Sequence, residues 1–128
     1  MADEIRMSFS LQVAKGGAAI ATGTLSDVVD MAGDDMATVT QSVSSTANAI
    51  EALGVPADVT GDVYLVIKHL GSTGTLTVSK DNGGPPASHV LSKLGPGEAC
   101  FLTRVPSSTL FVASSVAATP IQFWICEV

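Results

Sequence analysis

Gly61-Asp62-Val63-Tyr64-Leu65-Val66-Ile67-Lys68-His69-Leu70, GDVYLVIKHL, is the stretch on which the fold turns. From Val63 to Ile67 it is apolar at every position, so it has no wet face, and Gly61 and Gly71 punctuate its ends. A run this short, rich in β-branched residues, reads as a strand buried on both sides, the central strand of a sandwich. It is also far below the ~20 apolar residues that a membrane helix needs, so no membrane span is expected.

Working outward, Thr75 to Lys80 follows across Gly71-Ser72-Thr73-Gly74, a connection that reads as a hairpin. Asp81-Asn82-Gly83-Gly84-Pro85-Pro86 reads as a surface loop, because consecutive prolines cannot join a ladder. Ser88 to Leu94, Ala99 to Val105, Thr109 to Ser114 and Ile121 to Val128 continue the series, separated by Gly-Pro-Gly, Pro-Ser-Ser and Ala-Ala-Thr-Pro. Short strands at this spacing predict an all-β chain, an antiparallel β-sandwich of jelly-roll-like form.

Upstream the pattern is looser. Ile5, Met7, Phe9, Leu11 and Val13 alternate with Arg6, Ser8, Ser10 and Gln12 up to Lys15-Gly16-Gly17, a strand with one dry face. Ala18 to Leu25 is a weaker strand, Asp27 to Asp35 an acidic loop, and Met36 to Val43 alternates again. Ser45 to Leu53 fits either a short helix capped by Ser45 or Thr46, or a continued strand. A single sandwich domain over 1–128 is expected, with residues 1–13 as an arm or edge strand.

Hydrophobic residues make up 46% of the 128 and charged residues 14%. Since a soluble domain usually carries about 25% charged residues, the chain is short of charge to cover a monomer. Homo-oligomeric association, as dimer or trimer, is the expected remedy. Net charge is −6 and the six basic residues are scattered, which disfavours nucleic acid as a partner. Met1-Ala2-Asp3-Glu4 does not read as an export leader, and Cys100 and Cys126 are expected as thiols, although strands in one sheet could bring them face to face.

Material for chemistry is thin. Glu98, in Lys93-Leu94-Gly95-Pro96-Gly97-Glu98, has no carboxylate neighbour to form an acid/base pair and reads as the wet corner of a turn, with Phe101 plugging the core beyond it. His69 and His89 lack metal-ligand spacing, and Asp27, Asp30, Asp34 and Asp35 do not reproduce a calcium loop. No phosphate loop or nucleophile elbow is present. No catalytic residue, metal or cofactor is therefore expected, and no enzyme. Tyr64 and Trp124 could stack on sugars but read better as core or subunit contacts. With Ile5, Met7, Phe9 and Leu11 they form the candidate contact set.

The order Gly61 to Ile67, Thr75 to Ser79, Leu94-Gly95-Pro96-Gly97-Glu98, Thr109 to Ala113 and a last strand closing on Glu127-Val128 resembles small virion proteins of tailed bacteriophages. Lys15-Gly16-Gly17, and Gln41-Ser42-Val43 leading to Glu51-Ala52-Leu53-Gly54, are similar too. Lys68-His69 departs from the pattern, where such proteins often carry Asn. The resemblance implies a non-enzymatic capsid decoration or cement protein, located on the virion, with the major capsid protein or other virion proteins as partners. The alternative it implies is a tail, neck or fibre component that binds carbohydrate or receptor through Tyr64, Trp124 and the Asp81 to Pro86 loop.

Overall fold

The computed structural model describes residues 4–30, 35–80 and 89–128. The Asp81 to Pro86 loop thus lies outside the described residues. Two compact units emerge, residues 1–34 and residues 35–128. The first is a hairpin of β1 (Glu4–Lys15) and β2 (Ala18–Asp30), paired antiparallel with Lys15 opposite Ala18. Gly16 and Gly17, at φ 59° and 84°, supply the two left-handed residues of a tight hairpin turn whose twist matches that of the strands. Ser10 faces Thr24 but Gln12 faces Ala21, so two residues oppose Leu11 at a bulge, and Gly23 sits there at φ 68°.

This corrects two expectations. β1 and β2 join neither sheet of the sandwich, which spans 35–128 rather than 1–128. Asp27 to Asp30 is strand rather than acidic loop, because the β1 ladder carries its partner that far.

The second unit contains β3 (Met36–Val43), β4 (Glu51–Ala52), β5 (Asp62–His69), β6 (Leu76–Lys80), β7 (His89–Leu94), β8 (Ala99–Pro106), β9 (Leu110–Ser114) and β10 (Thr119–Glu127), with one 3-10 turn at Ser107–Thr109. They form two four-stranded sheets, β3-β10-β5-β8 and β4-β9-β6-β7, antiparallel at every pairing. Only β6 and β7 are consecutive strands of one sheet; every other link crosses between sheets. Eight strands wound this way make a jelly-roll-like sandwich.

Crossing links overturn two local readings. Gly71 to Gly74 is not a hairpin: it carries the chain from β5 in the first sheet to β6 in the second, where β6 pairs with β7 and β9. The Gly95 to Glu98 turn likewise passes from β7 to β8 between sheets. A hairpin signal in sequence reports a short reversal and cannot say whether the next strand lands beside or across. Ser45 to Leu53 settles between the two alternatives: turns from Ser45, then the two-residue β4.

The core is the set of inward residues from both sheets. Val43, Val63, Leu65, Ile67, Ile121, Phe123 and Ile125 face Leu76, Val78, Leu94, Leu110 and Val112, all buried. The expectation that Phe101 plugs this core fails: Cys100 stands opposite the inward Ile67, so Phe101, one residue on, points outward and is 42% exposed.

One end of the core is polar. The Ser44 hydroxyl donates to Ala49 O at 2.7 Å and accepts from Ser114 N–H at 2.9 Å, while the Ser114 and Thr119 hydroxyls share a 2.6 Å hydrogen bond. Each of these buried groups therefore has a partner, which burial requires.

Alternation sets up a direct test on β10. Phe123 is fully buried and its neighbour Trp124 is 37% exposed on the other face. Urea unfolding should show Phe123→Ala losing about 3–5 kcal/mol, as cavity formation in a core dictates, with Trp124→Ala losing much less. Equal losses would mean that the assigned inner face is wrong.

Candidate interaction surfaces

Each unit presents an apolar surface. On the hairpin, the period-two geometry of β1 puts Ile5, Met7, Phe9 and Leu11 on one face. Phe9 is 59% and Leu11 47% exposed. The Arg6–Glu4 ion pair, 2.7 Å, is a surface contact on the same strand and adds little stability.

On the sandwich, the outer face of the first sheet carries two rows. Cross-strand register lines up Thr38, Trp124, Val66 and Phe101 across all four strands. The next row runs Met36, Cys126 and Tyr64, with Arg104 at the β8 bulge. Tyr64 is an outer-face residue that is nevertheless buried: the Phe101 ring meets it edge-on at 5.9 Å and the Arg104 guanidinium covers it, also at 5.9 Å. Met36, Phe101 and Trp124 complete an apolar strip that water reaches. Of the six candidate contact residues, four therefore share the hairpin face, and Tyr64 and Trp124 share the sandwich face.

The sequence reading missed Met36, Val66 and Phe101. Period two placed each on a face, but only the strand order puts β3, β10, β5 and β8 side by side, so that scattered residues become a row.

The other candidates are held in turns and strands of the sandwich. Glu98 Oε2 accepts from Gly95 N–H at 2.6 Å and so closes its own turn, as a wet corner should. The Glu98 backbone O accepts from His69 N–H at 2.9 Å. His69 is buried; its Nδ1 accepts from Gly71 N–H at 3.0 Å, while its buried Nε2 has no hydrogen-bond partner among the described residues. His89 lies exposed on β7, in the other sheet. Among the described residues no three His, Cys, Asp or Glu side chains gather as a metal site. The hollow walled by Leu53, Val59 and Ser107 and the one walled by Thr77, Val90 and Lys93 each hold no acid beside a base among the described residues.

Cys100 and Cys126 do share a sheet, but on opposite faces: Cys100 is opposite the inward Ile67 and Cys126 opposite the outward Tyr64. Both are free thiols. Burial pushes both upward from the ordinary thiol value; at Cys100, hydrogen bonds to the Ser92 side chain and Ile67 backbone pull partly back.

No family model matches this chain, and no curated protein does. Among solved structures, the solution NMR structure of a de novo designed double-stranded β-helix is similar at 19% identity and a TM-score of 0.32. That alignment covers 73% of this chain and 99% of the designed one.

The thiols give a test. A raised folded-state value stabilises the fold below the unfolded thiol's pKa of about 8.5, and that contribution is lost as pH rises through the folded value. Stability of the native chain should fall above about pH 8.5, and Cys100→Ala should reduce that slope. Mild oxidation of folded protein should leave no Cys100–Cys126 bond in peptide maps; finding one would contradict the opposite-face assignment.

Proposed function

We propose that the chain is a virion structural protein of a bacteriophage, a decoration or cement subunit that grips neighbouring capsid subunits and strengthens the shell. It works by burying surface, not by turnover, and assembles onto the virion in the host cytoplasm. The observation that supports this reading most is the uncovered apolar area on both units, Phe9 and Leu11 on the hairpin and Met36, Phe101 and Trp124 on the sandwich. An isolated two-stranded hairpin is marginal in water, so the ribbon gains its stability from something it lies against. With twelve residues in β1, it reaches about 40 Å along a neighbour.

Repetition does the rest. One interface of modest area, near the ~1,600 Å² of a standard contact, holds weakly, but a subunit that grips two capsomers re-forms each contact at high effective concentration. Expansion of the shell must then break many contacts together. The few charges on these faces suit close apposition, since a buried unpaired charge is costly.

A second reading draws on Trp124, whose ring lies at the open outer face: a tail, neck or fibre component that binds carbohydrate or receptor. Loss of host adsorption in Trp124→Ala, with shell binding absent, would favour it.

Purified protein should bind expanded capsids that lack it, in hundreds of copies per particle by quantitative gel or imaging. The Phe9→Asp/Leu11→Asp variant should bind at least about tenfold more weakly, while the sandwich keeps its unfolding midpoint. No binding by the native chain to any shell would refute the cement role.

A further inference from the structure

Sheet edges are templates for further strands, and proteins blunt them with bulges, charges, prolines or shortness. Three of the sandwich's four edges are blunted in these ways. β8 carries a register shift opposite Val63 to Leu65, Arg104 in the left-handed region at φ 48°, and Pro106. β7 carries a shift between Val78 and Ser79, with His89 and Lys93 along it. β4 is two residues long and includes Glu51. β3 is different. Met36–Val43, MATVTQSV, is eight residues with no charge, proline or glycine, and its pairing with β10 runs from end to end without a shift.

The ladder shows which backbone groups are free to pair. Glu127 N–H donates to Asp35 O at 2.9 Å, and antiparallel bonding alternates, so Ala37, Val39 and Gln41 exchange hydrogen bonds with β10. The other side of β10 agrees: Leu70 N–H donates to Pro120 O and Val128 N–H to Asp62 O, which commits the even residues of β10 to β5 and leaves the odd ones to β3. The N–H and C=O groups of Met36, Thr38, Thr40 and Ser42 therefore point away from β10. Among the described residues, no strand pairs with that side. The Gln41 side chain holds the strand in place, donating to Ala52 O at 3.3 Å and accepting from Gly54 N–H at 2.8 Å.

We infer that β3 pairs antiparallel with β3 of a second copy, about a two-fold axis through Val39, joining two four-stranded sheets into one. Two constraints select this register. Opposed residues must lie on the same face, and the pairs must use the even positions that carry free backbone groups. An axis at Val39 satisfies both, setting Met36 opposite the partner's Ser42 and Thr38 opposite the partner's Thr40. With two N–H···O bonds per pair over four pairs, it forms about eight hydrogen bonds; an axis at Thr40 forms about six. The cross-strand threonine pairs are favourable ones, and no like charges meet, so a second copy fits where a charged strand has no complement. An isologous two-fold contact of this kind closes as a dimer.

This gives a form to the homo-oligomeric association expected from the composition, and it stands without a shell: a solution dimer that ignores capsids would keep the β3 pairing and remove the cement role. The test is sedimentation equilibrium of the full chain. Native protein should be a dimer. Thr40→Pro removes an N–H that β10 does not use, so it should weaken dimerisation at least about tenfold while the thermal midpoint stays near native. Thr38→Lys/Thr40→Lys, which sets ammonium groups opposite one another, should do the same and serves if the proline variant misfolds. Thr103→Lys on the β8 edge should leave the dimer intact. A native chain that stays monomeric overturns the inference, as does one that pairs only with a foreign strand, or a dimer indifferent to both β3 variants.

Discussion

Phe123, flanked on β10 by Ile121 and Ile125, is pressed between two sheets whose inner faces exclude water. Everything else about the second unit follows from that one dry layer. β10 lies between β3 and β5, so its inward row meets the second sheet while its backbone is consumed on both edges. The layer forces alternate residues outward, and this is why Trp124, Val66 and Phe101 come to share the opposite face. Burial on one side creates exposure on the other, since a strand cannot turn all its side chains the same way.

The outer face shows how the protein handles that consequence. Tyr64 is sheltered by Phe101 and Arg104, so part of the apolar strip is covered within the chain. Met36 and Trp124 have no such shelter. The strip ends on β3, whose own edge is the regular one, so apolar area and the backbone groups that β10 does not use meet at the same border of the sheet. The polar end of the core follows the opposite logic: Ser44, Ser114 and Thr119 are buried, but each hydroxyl has a partner within reach.

Much of this was legible in the residues. Val63 to Ile67 announced a strand with no wet face, and β5 is that strand. Alternation in Ile5 to Leu11 located an apolar ribbon face, although Phe9 and Leu11 on it are exposed rather than dry, and Lys15-Gly16-Gly17 located its turn. Glu98 read as a corner and bonds its own turn. Where the reading failed, the missing information was long-range. Gly71 to Gly74 has the residues of a hairpin but spans two sheets, and Phe101 has the character of a core residue but sits one position out of phase with Cys100. The β3 edge could not be recognised either, because whether a strand is central or terminal depends on partners as distant as β10.

Alternation, turn chemistry and the shortage of charge are local or compositional properties, and by themselves they determined that this chain would be all-β, built from short strands, with more dry surface than one strand layer can hide. Tertiary structure alone decided which strands are neighbours, that the first 34 residues form a compact unit of their own, that Cys100 and Cys126 back onto opposite faces, and that β3 has a strand partner on only one side among the described residues. The reason is physical: a side chain's face follows from its parity within one strand, but its neighbours follow from how eight strands share two sheets, and no single segment carries that choice.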